Sequence, residues 1–144
     1  MKKTFILLFL ILFLWTIPAM AGTLAAVGTP LGDGVTSITA VDNTTVYLGT
    51  AKGNIYSQHK TTGAFTKTAN IPKEKITAIV TTGTYNYVGT GSGKIYTQTI
   101  SGGAISATLL CFVPAQAIVG MKWDATSSLI WVTTSNGRTY TCTP

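Results

Sequence analysis

The chain has 144 residues, ten lysines or arginines against four aspartates or glutamates, a net charge of +6, two cysteines and one histidine. So few acids leave a paired-carboxylate site only Asp33, Asp42, Glu74 and Asp124 to draw on, and a metal site only His59, Cys111 and Cys142, which lie too far apart to form a recognisable ligand set. The mild positive excess does not by itself imply nucleic acid, and the length suits one small domain.

The first element is a leader. Lys2 and Lys3 precede an apolar run from Phe5 to Ile17, followed by Pro18, Ala19, Met20 and Ala21. A charged start, an apolar middle and a small-x-small exit predict a secretory signal peptide over residues 1–21, cut after Ala21. The run is shorter than the ~20 residues a spanning helix needs, so no stable membrane span is expected after cleavage. No cysteine follows the cut, so a lipid anchor is not indicated. The lysine-first leader is bacterial in style and predicts the periplasm or the medium. The remaining chain, residues 22–144, keeps eight cations against the four acids, a net charge of +4.

From there the chain repeats itself. Val46-Tyr47-Leu48-Gly49-Thr50-Ala51-Lys52-Gly53-Asn54-Ile55-Tyr56 returns as Tyr87-Val88-Gly89-Thr90-Gly91-Ser92-Gly93-Lys94-Ile95-Tyr96, and again as Trp131-Val132-Thr133-Thr134-Ser135-Asn136-Gly137-Arg138-Thr139-Tyr140. Each copy reads as strand, tight turn and strand, with a glycine where the turn needs positive φ. Before each hairpin lies a short apolar strand with a small third residue: Ile38 to Val41 (Ala40), Ile76 to Ile79 (Ala78) and Ile118 to Met121 (Gly120). Before each of these stands a proline, Pro30, Pro72 or Pro114, spaced by 42 positions. Strand-like runs lead into the prolines: Leu24 to Gly28, Phe65 to Ile71 and Ala107 to Val113. Gly63, Gly83, Gly102 and Gly103 fall in the connections.

The sequence therefore predicts an all-β domain of three four-stranded antiparallel repeats, over about residues 31–72, 73–114 and 115–144. The order begins with an orphaned fourth strand and ends on a repeat that lacks one. A strand from residues 23–29 would complete the last sheet and remove two exposed edges.

Gly49-Thr50 and Gly89-Thr90 after an apolar pair, with Gly53 and Gly93 three positions on and Ile-Tyr after them, resemble blades of β-propellers, of the quinoprotein and WD40-like kinds. Asp124 with Leu129 through Gly137 is similar to the blade motif of two-component-regulator propellers. The resemblance implies about three propeller blades. It does not extend to a quinone: the tryptophan that docks neighbouring quinoprotein blades has no counterpart after Gly63 or Gly103, and no cofactor is expected. Three blades are too few to close a ring of sheets packed ~10 Å apart. Two chains of three blades each would make a six-bladed ring, so self-association as a dimer is expected. The alternative for three four-stranded repeats is a β-trefoil.

Catalysis has little support, and the expectation is no enzyme but an exported binding or scaffold protein. Lys52, Lys94 and Arg138 sit beside the hairpin glycines, and Lys73 and Lys75 in the loop that shares their rim. This basic rim would attract an anionic glycan or an acidic envelope protein. The repeated aromatics Tyr47, Tyr87 and Trp131, and Tyr56, Tyr96 and Tyr140, suit a core between sheets. They leave a carbohydrate-binding lectin as one alternative, with Tyr85 and Trp123 as exposed contacts, and an accessory subunit of an envelope complex as another. An even cysteine count in an exported chain allows a disulfide between Cys111 and Cys142, though no spacing specifies it.

Overall fold

The structure, a computed structural model, describes residues 32–100 and 105–144. The leader, Pro30 and the run Leu24 to Gly28 lie outside these residues, as do Gly102 and Gly103.

Eleven strands form three antiparallel sheets among the described residues. Sheet 1 runs β1 (Val35–Ala40), β2 (Thr45–Thr50), β3 (Asn54–His59), β4 (Phe65–Asn70) in spatial order. Sheet 2 repeats this with β5 (Ile76–Thr81), β6 (Tyr85–Thr90), β7 (Lys94–Thr99) and β8 (Ile105–Phe112). Sheet 3 has three strands, β9 (Ile118–Asp124), β10 (Leu129–Thr134) and β11 (Thr139–Cys142). Each sheet is a simple meander. The first strands adjoin, β1 beside β5 and β5 beside β9, while the later strands fan outward. That radial order is a propeller's, not a trefoil's.

Two apolar clusters fill the joints between sheets. Tyr47, Ile55 and Ile71 of sheet 1 meet Ile76, Ile79 and Val88 of sheet 2. Ala78, Tyr87 and Ile95 of sheet 2 meet Ile118, Ile130, Val132 and Cys142 of sheet 3. Ile55, Ile76, Ile95, Ile118 and Ile130 are fully buried. Each contributes roughly 1.5–3 kcal/mol of burial, which no single sheet could gain alone.

The Gly-Thr pair of the repeat has two jobs. A Cβ on Gly49 would stand 2.3 Å from Ile76 Cγ2, and one on Gly89 would stand 2.9 Å from Ile118 Cγ2. Glycine therefore lets the next sheet's leading isoleucine close on the strand. Thr50 and Thr90 are fully buried, and their hydroxyls accept the backbone N–H of Asn54 (3.0 Å) and Lys94 (3.2 Å), fastening the turn.

The register corrects one sequence expectation. Gly49 pairs with Ser37, Gly89 with Ala78 and Thr133 with Gly120. The first strand thus begins at Val35, three residues before Ile38, and its small residue is Ser37 rather than Ala40. The string Ile-Thr-Ala in both repeats is a coincidence of letters. Alignment is set by which residue of the first strand faces the glycine.

Cys111 and Cys142 form a disulfide with Cα atoms 6.2 Å apart, tying β8 of sheet 2 to β11 of sheet 3. Gln98 occupies the place in sheet 2 that Cys142 holds in sheet 3, since they pair with Asn86 and Ile130. Its amide donates to Thr68 Oγ1 of sheet 1 at 3.1 Å. One position therefore tethers each sheet to the preceding one, by a hydrogen bond in the first joint and a covalent bond in the second.

Candidate binding face and axial groove

The turns between second and third strands and the loops that precede first strands meet at one end of the molecule. Ala51 N–H donates to Gly34 O, Gly91 N–H to Lys75 O and Ser135 N–H to Ala117 O, at 2.9, 2.8 and 2.9 Å. This end carries all five cations of the expected basic rim, but the acids nearby spend two of them. Lys52 Nζ lies 2.8 Å from Asp33, and Lys94 Nζ lies 2.8 Å from Glu74. Asp33 also accepts from the Asn54 amide, and Glu74 from the Ser92 hydroxyl at 2.7 Å. Each acid thus clamps the residues immediately before and after the turn glycine. Lys52 stands before its glycine, whereas Lys94 and Arg138 stand after theirs, so the three cations do not share one slot.

These bonds set the ionisation. The hydrogen bonds from Lys52 and Asn54 hold the Asp33 carboxyl below the usual carboxylate range. Burial pushes Glu74 up, but Lys94 and Ser92 more than offset it, and the net shift is downward. Sheet 3 has no acid at this place: Gln116 stands two residues before Ile118, as Asp33 and Glu74 stand before Val35 and Ile76. Arg138 is exposed, as are Lys73 and Lys75, and the positive character of the end rests on these three.

A groove of about 490 Å³ opens at the centre of this end, where the three first strands converge. Thr36, Thr77 and Val119, equivalent in the three sheets, line it, with Lys75 at its side. Thr36 is hydrogen-bonded to Gly49 O and Ile76 O, and Thr77 to Gly89 O, so two of the three spend their hydroxyls on the strands. This groove was not legible in the sequence, because Thr36 and Thr77 look like any other strand threonines.

The aromatic positions separate. Tyr47 and Tyr87 are only 5 % exposed and fill the joints. Trp123 belongs to β9, half-buried, and stacks on Tyr87 with ring centroids 6.1 Å apart. It is a joint residue rather than an exposed contact. Tyr85 is 41 % exposed beside Tyr87 and is the better-placed surface ring of the two.

The other polar candidates hold turns. Asp42 accepts from Thr44 N–H, Thr44 hydroxyl and Thr45 N–H, and Asp124 from Thr126 N–H and Ser127 hydroxyl. His59 Nδ1 accepts from the N–H groups of Thr61 and Thr62. Among the described residues no three His, Cys, Asp or Glu gather where they could hold a metal.

No protein-family model matches the chain, and no curated protein matches it. Solved structures do. The WD40 β-propeller domain of Doa1 superposes with a TM-score of 0.71 at 10% identity, covering 83% of this chain and 41% of that one. The C-terminal WD40 domain of Sif2 superposes with a TM-score of 0.62 at 14% identity, covering 80% of this chain and 35% of that one. The chain spans well under half the length of these propellers, and identities this low speak for the fold alone. With its three radial meanders and shared first-strand axis, the chain is a WD40-like propeller repeat protein in fold, a partial propeller.

Proposed function

We propose that the chain is an exported, non-catalytic interaction module that binds an acidic protein of the cell envelope through the end bearing Lys73, Lys75 and Arg138. The observation that carries the reading is how the reactive side chains are used. All four acids and the single histidine are engaged in turn-forming hydrogen bonds or ion pairs. That leaves cations and an apolar-walled groove, which suit recognition of a negatively charged partner rather than proton transfer. The propeller fold fits the same reading, since it offers one broad face built from successive loops.

The test is a pull-down from native envelope extract, with the wild-type chain and a Lys73→Ser, Lys75→Ser, Arg138→Ser variant as baits. The expected result is a stoichiometric protein retained by the wild type, released by salt and lost with the variant. Retention by both baits, insensitive to salt, sinks the electrostatic reading. An acidic polysaccharide recovered in place of a protein would replace the envelope protein with an anionic glycan.

A further inference from the structure

Chain order hands each sheet's fourth strand on to the next sheet's first. β4 closes sheet 1 and β5 opens sheet 2, and β8 and β9 do the same between sheets 2 and 3. By that rule a strand immediately preceding β1 belongs to a sheet standing before sheet 1. Among the described residues no sheet of this chain stands there. Sheet 3, at the other end, has β11 as its outer strand, with no fourth beside it among the described residues.

The turn glycines record the same gap. Ile71 N–H donates to Gly53 O and Val113 N–H to Gly93 O, both at 2.9 Å, as the fourth strand ends over the turn. The approach is so close that a Cβ on Gly53 or Gly93 would stand 2.2 or 2.1 Å from the Ile71 or Val113 carbonyl oxygen. A Cβ on Gly137 would meet nothing within 4 Å. The residues that close the first two turns are Ile71-Pro72 and Val113-Pro114, and their counterpart in the sequence is Thr29-Pro30.

The end faces carry a third sign. Ile76 and Ile79 of sheet 2 bury against sheet 1, whereas sheet 1 presents Val35 and Ile38 at these places, 50% and 64% exposed. Tyr47 and Tyr87 bury against the following sheet, whereas Trp131, their equivalent in sheet 3, is 45% exposed. Among the described residues a leading apolar face on sheet 1 and a trailing one on sheet 3 are thus both uncovered.

We propose that a second copy of this chain covers both. Sheet 1 of each copy packs Val35 and Ile38 against the partner's Trp131, and residues 24–29 cross to become the fourth strand beside the partner's β11, ending over its turn glycine. Two such contacts related by a twofold axis close on themselves, giving sheet 3 of each copy its fourth strand and covering the edge of β11. The joint is not a copy of the internal ones. In sheet 3 Thr133 replaces the glycine of the other two second strands, and the small residue moves to the opposing Gly120, where Ser37 and Ala78 stand in sheets 1 and 2. A Cβ on Gly120 would meet nothing within 4 Å, so the room for the partner's side chains lies one strand nearer the axis.

Two measurements test this. The full chain's secreted product is weighed by light scattering beside Gly120→Leu, whose added Cβ meets nothing within 4 Å among the described residues. The wild type is expected at twice the chain mass. The variant is expected to keep its β-sheet circular dichroism and cooperative melt but to dimerise at least tenfold more weakly. Separately, Val27→Cys and Thr139→Cys chains are mixed, because the register that sets Ile95 opposite Cys111 sets these two opposite each other. A disulfide joining the two variants on a non-reducing gel, with its peptide identified by mass, supports the exchange. A wild type that stays a single chain at every concentration overturns the proposal. So does a doubly substituted chain that links residue 27 to residue 139 only within itself.

Discussion

Glycine in the second strand of the first two repeats, Gly49 and Gly89, is where one hydrogen atom decides whether two sheets can meet. Gly49→Ala forces a Cβ to within 2.3 Å of Ile76 Cγ2, in a joint with no slack. The expected loss is about 1–3 kcal/mol, read as a lower denaturant midpoint at unchanged m-value. Gly120→Ala is the control. Within one chain its added Cβ meets nothing within 4 Å, so its expected effect, measured at concentrations where the chain is a monomer, is a gain of roughly 0.5–1 kcal/mol from the reduced backbone entropy of the unfolded chain. Equal losses at the two positions would mean that sheet packing does not explain the repeat's glycine. At the same scale, the Glu74 carboxyl has a pKa below its ordinary value, through Lys94 and Ser92. Its contribution is present above the unfolded pKa and is lost as pH falls through the lower folded value. Glu74→Gln should therefore lower Tm at neutral pH and flatten the fall of Tm on acidification, with little change once wild-type Glu74 is itself protonated.

Strands in this fold are ordinary, and what distinguishes the three repeats is how each is tied to its neighbour. Gln98 reaches back from β7 to Thr68 in β4, and Cys142 reaches back from β11 to Cys111 in β8. The covalent tie falls on the sheet with three strands, which has the smallest face to bury. Closing a loop of 31 residues, the disulfide is expected to stabilise the chain by about 3–4 kcal/mol. Cys111→Ser with Cys142→Ser should show that loss in denaturant unfolding, with hydrogen exchange rising first in β9 to β11. Uniform acceleration across all three sheets would mean that sheet 3 does not open separately. The same element also explains why the basic rim was only partly legible. Lysines beside turn glycines could be read from the sequence, but their acids stand about twenty positions away and come within reach only when the sheet forms.

At the scale of the whole molecule, the three sheets of the described residues join into an arc. Deleting residues 22–30 is expected to leave the joints between sheets intact, so the circular dichroism should keep its β signature. The mass should fall to one chain, and aggregation should rise through the uncovered edge of β11. Unchanged assembly after the deletion would show that these residues do not bridge copies.

Three repeats, their four-strand plan and their propeller likeness follow from the sequence by itself, because period, turn glycines and apolar alternation are local and recur where the chain recurs. Tertiary structure decided the rest: that the first strand starts at Val35, that Trp123 is packed while Tyr85 is not, that two of five rim cations are neutralised, and that Cys111 faces Cys142. Each of these depends on which face of a strand meets which neighbour. With side chains alternating at a period of two, a slip of one or three residues reverses that choice without changing the composition of the strand.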